Sequence, residues 1–348
     1  MLRDRIEWKW IETFAHTFGL CRVGSGDEVA ILSESQSRQL NVHLAELALL
    51  SIGARPFHVV LPTPPQSAPV PVKSTGSSHA IAGNRSVIAA LGAVPMVVDM
   101  TVEGLMHAPE TGAIRGAGTR LLYISDEHPE VLERLRSNAE LGDRVRQGRQ
   151  MMIQATEMHV TSAAGTDLRV GMRGAVVGGN LGFVTEPGQM ASWPGGICSC
   201  FPPHRAVNGT LVLDRGDLNL TFKRYHETPV TLTIRDDFVT DIAGDGLDAE
   251  LMREYFAAWD DRNAYGASHV SWGMNHAARW ESLAMYDKRD VNGIEARAVA
   301  GSLLYSTGAN PSANRFSLGH FDLPLRRCSL TIDGQLAIEE GTLRAPLA

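Results

Sequence analysis

The sequence predicts a protein of two parts, a mostly parallel α/β domain followed by a largely antiparallel β domain with helices (α/β plus α+β). Up to about residue 155, short apolar runs alternate with longer amphipathic stretches, which favours strands joined by helices across a parallel sheet. From residue 156 onward, stretches with a period of two are separated by turn residues, which is typical of antiparallel strands. The 348 residues, 44% of them hydrophobic, suffice for two domains, which we place at residues 1–155 and 156–348.

Strand–helix–strand units are predicted in the N-terminal domain. Strands are expected at residues 28–32, 57–61, 96–99 and 120–124, and helices at residues 38–52 and 86–91. The run Gly24-Ser-Gly26 precedes the first strand, whereas a dinucleotide-binding loop follows one, so nucleotide binding is not expected. The Pro-rich stretch over residues 61–72 is predicted to be an extended loop, because proline disrupts helices and central strands, and its length suggests a functional or interface role.

The C-terminal domain carries clear hairpin signals. Ala-Gly165-Thr-Asp and Asp333-Gly334 each separate two alternating stretches, as hairpin turns do. Further strands are expected at residues 209–214 and 230–234, and helices at residues 248–258 and 275–286. We therefore expect antiparallel strands interrupted by helices in this half of the chain.

Composition argues against several classes of function. The net charge is −7 and no block of Lys or Arg is present, so neither a nucleic acid nor an anionic membrane is an expected partner. The N-terminal stretch is not continuously apolar, and no run reaches the roughly eighteen apolar residues of a membrane-spanning helix, so a cytoplasmic location is predicted. The irregularly spaced Cys21, Cys198, Cys200 and Cys328 are expected to be free thiols.

Two histidines and one aspartate in the C-terminal domain suggest a metal site. His320 and Asp322 are two residues apart, so in a strand their side chains would project from the same face about 7 Å apart along the chain. With His269, they would form a set of two imidazoles and one carboxylate that leaves coordination positions open, as in non-haem Fe(II) oxygenases. A His-x-Asp pair is common, however, and by itself it also fits a surface or hydrogen-bonded histidine.

Several short segments follow one another in a recognisable order and are spread over roughly two thirds of the chain. They are His107-Ala-Pro-Glu110, Glu186-Pro-Gly, Trp193-Pro-Gly, Gly209-Thr-Leu-Val-Leu-Asp214-Arg-Gly-Asp217, Phe222-Lys223, Tyr265-Gly-Ala-Ser-His269, Trp272-Gly273, Leu304-Tyr-Ser306-Thr-Gly308 and His320-Phe-Asp322-Leu-Pro-Leu-Arg326. In this order they are similar to the 2,5-dihydroxypyridine 5,6-dioxygenase family, iron enzymes of bacterial nicotinate degradation whose fold resembles that of M29 aminopeptidases. Collinear matches of this kind are far more specific than any single tripeptide.

The resemblance implies a function and a set of roles. It implies that His269, His320 and Asp322 hold Fe(2+), and that a small hydroxylated aromatic substrate reacts with O₂, which opens the ring and incorporates both oxygen atoms. From 2,5-dihydroxypyridine the product would be N-formylmaleamate. His107 matches a position with a proton-transfer role, although a capping histidine is the alternative. Ser306 matches a residue near the substrate, although such a hydroxyl often bonds only backbone.

Two positions depart from the family's pattern. Where the family has an acid and a histidine that are thought to contact substrate, this sequence has Asn180 and Ser192. An amide and a hydroxyl cannot take up a proton near neutral pH, so the substrate carries different polar groups or another residue does that work. His204 and His276 are candidate replacements. We hypothesise that the chain keeps the iron and oxygen chemistry but accepts a ring other than 2,5-dihydroxypyridine, either another hydroxylated N-heteroaromatic or an aromatic acid.

Two other functions remain open at this point. A two-metal aminopeptidase on the same scaffold would need a second set of ligands, for which Glu250 and Glu254, one helical turn apart, are candidates, although a solvated helix face is the simpler interpretation. A binding protein with a structural metal would be expected to close its coordination with four ligands. The resemblance also implies a homo-oligomer, in which the Pro-rich loop would be a subunit contact.

Overall fold

A computed structural model describes residues 5–65 and 77–348. The helices are α1 (Trp8–Leu20), α2 (Gln39–Ser51), α3 (Arg85–Gly92), α4 (Thr111–Gly116), α5 (Pro129–Arg134), α6 (Ala139–Ile153), α7 (Leu247–Ala258), α8 (Ser282–Met285) and α9 (Ile294–Ala298). The strands are β1 (Glu28–Glu34), β2 (Arg55–Leu61), β3 (Met96–Asp99), β4 (Arg120–Ile124), β5 (Glu157–Ser162), β6 (Asp167–Gly171), β7 (Val176–Asn180), β8 (Met190–Trp193), β9 (Ile197–Phe201), β10 (Val207–Leu213), β11 (Leu218–Asn219), β12 (Arg224–Tyr225), β13 (Val230–Arg235), β14 (Phe238–Ala243), β15 (Ala267–Gly273), β16 (Leu303–Thr307), β17 (Phe321–Leu325), β18 (Cys328–Ile332), β19 (Gln335–Glu339) and β20 (Thr342–Leu343). Three-residue and four-residue 3-10 helices lie at Arg262–Tyr265, Lys288–Asp290 and Pro311–Ala313.

The first sheet is parallel and has the strand order β2-β1-β3-β4-β8. The neighbours on the two faces of β1 explain why its sequence is a continuous apolar run. Val29 and Ile31 belong to one apolar cluster with residues of α1 and α2, whereas Ala30 and Leu32 belong to a second cluster with residues of α3 and α4. Helices therefore cover both faces of this sheet, as in doubly wound α/β folds.

Two antiparallel sheets, of eight and five strands, make up most of the second half of the chain. One has the order β14-β13-β10-β6-β5-β18-β19-β20, and the other has the order β17-β16-β15-β9-β7. All neighbouring strands in both are antiparallel. The buried alternate residues of β13, Val230, Leu232 and Ile234, face the apolar core. The predicted combination of a parallel α/β part and an antiparallel part is confirmed.

Strand β8 belongs to the first sheet, although it lies within the predicted C-terminal domain. It lies beyond residue 155, yet it pairs in parallel with β4 and completes the first sheet. Its neighbours in sequence, β7 and β9, pair with each other in the second antiparallel sheet. The chain thus passes between the two sheets twice near residue 190, and the boundary at residue 155 stays a prediction.

The predicted helix over residues 275–286 is largely wrong. Residues 276–281 form turns and irregular structure, and only α8 is α-helical in this range. The Asn275 side chain accepts a hydrogen bond from the backbone N–H of Ala277, and the N–H of Arg279 donates to Glu295 Oε1 at 2.8 Å. These N–H groups are satisfied by side chains, one of them distant in sequence, so they do not enter a helix.

Three other predictions concern membrane-spanning segments, the cysteines and the Pro-rich stretch. No helix in the described ranges is long and apolar enough to cross a membrane. The four cysteines are buried free thiols, as predicted. Residues 66–76 of the Pro-rich stretch lie outside the described residues.

Candidate metal centre and active-site cavity

Three adjacent strands bring the predicted metal ligands together. The register pairs His269 on β15 with Ser306 on β16, and Ser306 with Asp322 on β17. Because side chains opposite one another on antiparallel strands project from the same face, these three side chains form a row. His320 directly precedes β17 and completes the group. The ligand atoms of His269, His320 and Asp322 lie within 4.8 Å of one another, the one such group of three or more among the described residues.

The surroundings favour metal-binding protonation states. Burial lowers the pKa of His269 to about 3, against the attraction of Asp322, so its imidazole is neutral at pH 7. Burial opposes ionisation of Asp322, but Arg297 and the two histidines outweigh it and hold the pKa of this carboxyl well below its ordinary value. A neutral imidazole and a charged carboxylate are the forms that bind metals.

Hydrogen bonds orient the ligands. His269 Nδ1 lies 2.8 Å from the Ser271 hydroxyl, so Nε2 is the nitrogen left for a metal. His320 Nε2 lies 3.3 Å from Asp322 Oδ1, and its buried Nδ1 has no hydrogen-bond partner among the described residues. Tyr255 donates its hydroxyl hydrogen to the His320 carbonyl at 2.8 Å. The side chains of His269, His320 and Asp322 fit the pattern of two histidines and one carboxylate that binds non-haem Fe(II).

Arg297 is a residue that sequence reasoning missed. Its Nε donates to Asp322 Oδ2 at 2.6 Å, and both side chains are at least nine-tenths buried. The Ser306 hydroxyl donates to the other oxygen, Asp322 Oδ1. Ser306 is fully buried against Asp322 and does not line the adjacent cavity, so the structure places its hydroxyl on a ligand instead of on the space for a substrate.

A cavity of about 130 Å³ adjoins the three ligands. It lies between the carboxyl end of the parallel sheet, where such folds bind ligands, and the second antiparallel sheet. Other residues that line it are Glu103, His107, Tyr123, Phe201, Asn292 and Arg297. The His107 ring lies with its centroid 5.3 Å from that of His320. Burial, reinforced by His320, lowers the pKa of His107 to about 4, so this histidine is neutral and able to accept a proton.

Asn180 and Ser192 both line this cavity and form a hydrogen-bonded pair. Asn180 Nδ2 donates to Ser192 Oγ at 2.7 Å and to the Pro194 carbonyl at 3.1 Å. Asn180 Oδ1 accepts from the backbone N–H groups of Ser192 and Gly182. Two backbone donors fix the orientation of the amide, and all its hydrogen-bonding groups are occupied. Ser192 keeps its hydroxyl hydrogen to donate.

The other candidates lie outside the cavity. His204 and His276, considered as replacements for the missing acid and histidine, are exposed and do not line it, so that suggestion is wrong. Glu250 and Glu254 are exposed on α7, which agrees with the solvated helix face. No signal in the local sequence marked Arg297, because its contact with Asp322 joins two segments that carry no shared motif.

Comparison with known proteins shows the family of the chain. The model of the family described as 2,5-dihydroxypyridine 5,6-dioxygenase matches residues 9–345. A 2,5-dihydroxypyridine 5,6-dioxygenase from Pseudomonas putida KT2440 is 34% identical over 341 residues, which are 96% of each chain.

Two solved structures are similar to the chain. The structure of 2,5-dihydroxypyridine dioxygenase from Pseudomonas putida KT2440 has a TM-score of 0.90 and 34% identity, with 97% of each chain covered. Wild-type AmpT from Thermus thermophilus has a TM-score of 0.60 and 14% identity, with 96% of this chain and 98% of that chain covered, which shows the fold alone and agrees with the predicted M29-like scaffold. The chain belongs to the 2,5-dihydroxypyridine 5,6-dioxygenase family.

Proposed function

We propose that this protein is an Fe(II)-dependent dioxygenase that opens the ring of 2,5-dihydroxypyridine or a related hydroxylated N-heteroaromatic and incorporates both atoms of O₂. The observation that carries the proposal is the convergence of His269, His320 and Asp322 on one wall of a cavity in a chain of this family. Bound there, Fe(II) would supply open coordination positions at which a ring hydroxyl and O₂ meet. A cytoplasmic location and a homo-oligomer remain predictions.

His107 is placed to act as the base. Loss of the proton from a ring hydroxyl raises the electron density of the ring, which favours attack by oxygen. His107 lines the same cavity as the three ligands, and its lowered pKa, about 4, leaves its imidazole unprotonated at pH 7. A pKa of about 4 makes this imidazole a weak base, so its place in the cavity beside the three ligands is what supports the role: from there it can accept the hydroxyl proton and return it to the opened product.

The Asn180–Ser192 pair supports a preference among ring substituents. Asn180 has no hydrogen-bonding group left for a ligand, and Ser192 offers one donor. A ring edge with an acceptor, such as a hydroxyl oxygen, a ring nitrogen lone pair or a carboxylate, fits that donor, and a ring hydroxyl can also donate to the remaining lone pair of Ser192 Oγ. This supports a substrate related to 2,5-dihydroxypyridine that meets Ser192 with a hydrogen-bonding group.

An M29-like hydrolase is the alternative. Two-metal hydrolysis needs a second ligand set about 3.5–4 Å from the first ion. Among the described residues, His269, His320 and Asp322 are the single group of three or more suited to a metal. The likeness to AmpT, at 14% identity, shows the fold alone. These observations favour the dioxygenase over the hydrolase.

One experiment separates the two functions. The protein is reconstituted with Fe(II) under anaerobic conditions and supplied with a panel of hydroxypyridines in an oxygen electrode, and with amino-acid p-nitroanilides in parallel. We expect oxygen uptake that depends on both Fe(II) and one of the hydroxypyridines. Release of p-nitroaniline without oxygen uptake would identify a hydrolase, and neither activity would leave a binding protein.

A further inference from the structure

The segment from Asn292 to Ala298 forms part of the cavity wall and holds a metal ligand. Asn292, Ile294 and Arg297 all line the cavity. Arg297 Nε donates to Asp322 Oδ2 at 2.6 Å. The segment consists of a loop and the five-residue helix α9, which is too short to be stable by its own hydrogen bonds. Contacts with other parts of the chain must therefore fix its position.

Glu127, three residues beyond the end of β4, supplies the central contact. Its Oε2 accepts the backbone N–H of Asn292 at 3.0 Å, and its Oε1 accepts those of Gly293 and Ile294 at 2.9 and 3.1 Å. The residue is 1% exposed. One buried carboxylate thus takes three successive N–H groups of the segment that carries Arg297. Burial raises the pKa of Glu127 to about 7, against the lowering effect of the N–H groups of Asn292 and Gly293, so the carboxylate form prevails above that pH. Hydrogen bonds to the charged form are about twice as strong as neutral ones.

A second contact anchors the same segment. The carboxylate of Glu295 pairs with the guanidinium of Arg134 on α5, with Nη2 and Oε2 3.1 Å apart. Its Oε1 also accepts the N–H of Arg279 at 2.8 Å. This pair restrains the first turn of α9, whereas Glu127 restrains the residues that lead into it, where the chain turns through Gly293 with a φ of 101°.

We infer that Glu127 is a positioning residue of the active site, which fixes residues 292–298 so that Arg297 holds Asp322 in place. The inference rests on the proposed function, because it assigns Asp322 to the metal. Glu127 does not itself line the cavity, and it acts through the segment that carries Arg297. Replacing it with Gln keeps the shape but turns an N–H₂ group towards backbone N–H groups, which breaks one or two of the three hydrogen bonds.

Hydrogen exchange tests the local effect without any ligand. In Glu127→Gln we expect the amides of residues 292–298 to exchange about tenfold faster or more than in the wild type, the size of a lost charge-assisted hydrogen bond. Glu34→Gln is the matched control. Glu34, the last residue of β1, is also 1% exposed and accepts a hydrogen bond from Ser78, but it contacts another part of the chain. Glu127→Asp provides a second variant if Glu127→Gln does not fold.

Iron affinity tests the coupling to the metal site. Substitutions that disturb residues orienting a metal ligand weaken binding about 10-fold to 100-fold. We expect the Kd for Fe(II) to rise by about tenfold in Glu127→Gln and in Arg297→Gln. The double variant should be little worse than Arg297→Gln, because both changes act on one contact.

Different outcomes contradict different claims. Unchanged exchange at residues 292–298 in Glu127→Gln, an equal change in Glu34→Gln, or additive losses of iron affinity would overturn the positioning role. A wild-type protein that binds Fe(II) but consumes no oxygen with hydroxypyridines would instead contradict the proposed function. In that case the exchange and affinity data would still decide the role of Glu127.

Discussion

Replacing Ser306 with Ala removes one hydrogen bond to Asp322, the proposed carboxylate ligand, and little else. The Ser306 side chain is fully buried, and its hydroxyl donates to Asp322 Oδ1. A hydrogen bond to a charged group contributes about 1.5–3 kcal/mol, and its loss leaves a buried carboxylate with one donor fewer. Asp322 retains Arg297, which donates to its other oxygen at 2.6 Å. We therefore expect partial disorder of the ligand and not its release.

Two measurements follow from Ser306→Ala. Urea denaturation of the metal-free protein should show a loss of about 1.5–3 kcal/mol in the free energy of unfolding. Anaerobic Fe(II) titration should show a Kd about 10-fold to 100-fold higher. The control is Ser302→Ala, which removes a hydroxyl donated to the neutral Val299 carbonyl at 2.8 Å and should leave iron affinity unchanged.

The same variant decides between two roles for Ser306. If the hydroxyl bound the substrate, as the family resemblance implies, Ser306→Ala would weaken binding of the ring and leave iron affinity intact. If it orients Asp322, iron affinity falls first. Unchanged iron affinity together with unchanged stability would refute the reasoning from the hydrogen bond.

Three further predictions concern other positions. His269→Ala should abolish stoichiometric Fe(II) binding with the circular dichroism spectrum unchanged, whereas His159→Ala, at a histidine bonded to Asp167 away from the cavity, should retain it; full iron occupancy and activity in His269→Ala would contradict the ligand assignment. Gly308→Ala should lower the free energy of unfolding by about 1–3 kcal/mol or more, because φ is 111° and a Cβ would meet the Gly319 carbonyl at 2.3 Å; an unchanged urea midpoint would contradict this. Burial raises the pKa of Asp217 from 3.8 to about 7. The folded protein therefore binds the proton of this carboxyl group more tightly than the unfolded chain does. The resulting stability is fully present below pH 3.8 and is lost as the pH rises through about 7. Urea denaturation at pH 5 and pH 8 should therefore show a smaller pH-dependent loss in Asp217→Asn than in the wild type, and equal losses would contradict the assignment.

Local patterns in the sequence predicted much of the fold. Strands β3 and β4 begin and end at the predicted residues, because continuous apolar runs bounded by turn residues are a strong signal of a strand buried on both faces. The hairpin between β18 and β19 follows from Asp333-Gly334 for a similar local reason. The helix over residues 275–286 could not be rejected locally, since Glu295, which accepts the N–H of Arg279, is sixteen residues away.

The candidate site divides in the same way. The spacing of His320 and Asp322 and the family resemblance predicted which residues converge, and the register of β15, β16 and β17 explains how. Arg297 could not be found from the sequence, because it meets Asp322 from a segment 25 residues away. Glu127 meets the segment of Arg297 across more than 160 residues, and no motif links them. The direction of the Ser306 hydroxyl also required the structure, since a sequence position does not state which neighbour a side chain contacts.

The most direct test of the proposed function is turnover of the Fe(II)-reconstituted protein under ¹⁸O₂ with a hydroxypyridine that supports oxygen uptake, followed by mass spectrometry of the product. Ring cleavage by a dioxygenase predicts that the opened product carries both labelled oxygen atoms and that Asp322→Asn forms none. A product with one labelled atom or none, or full activity in Asp322→Asn, would contradict it.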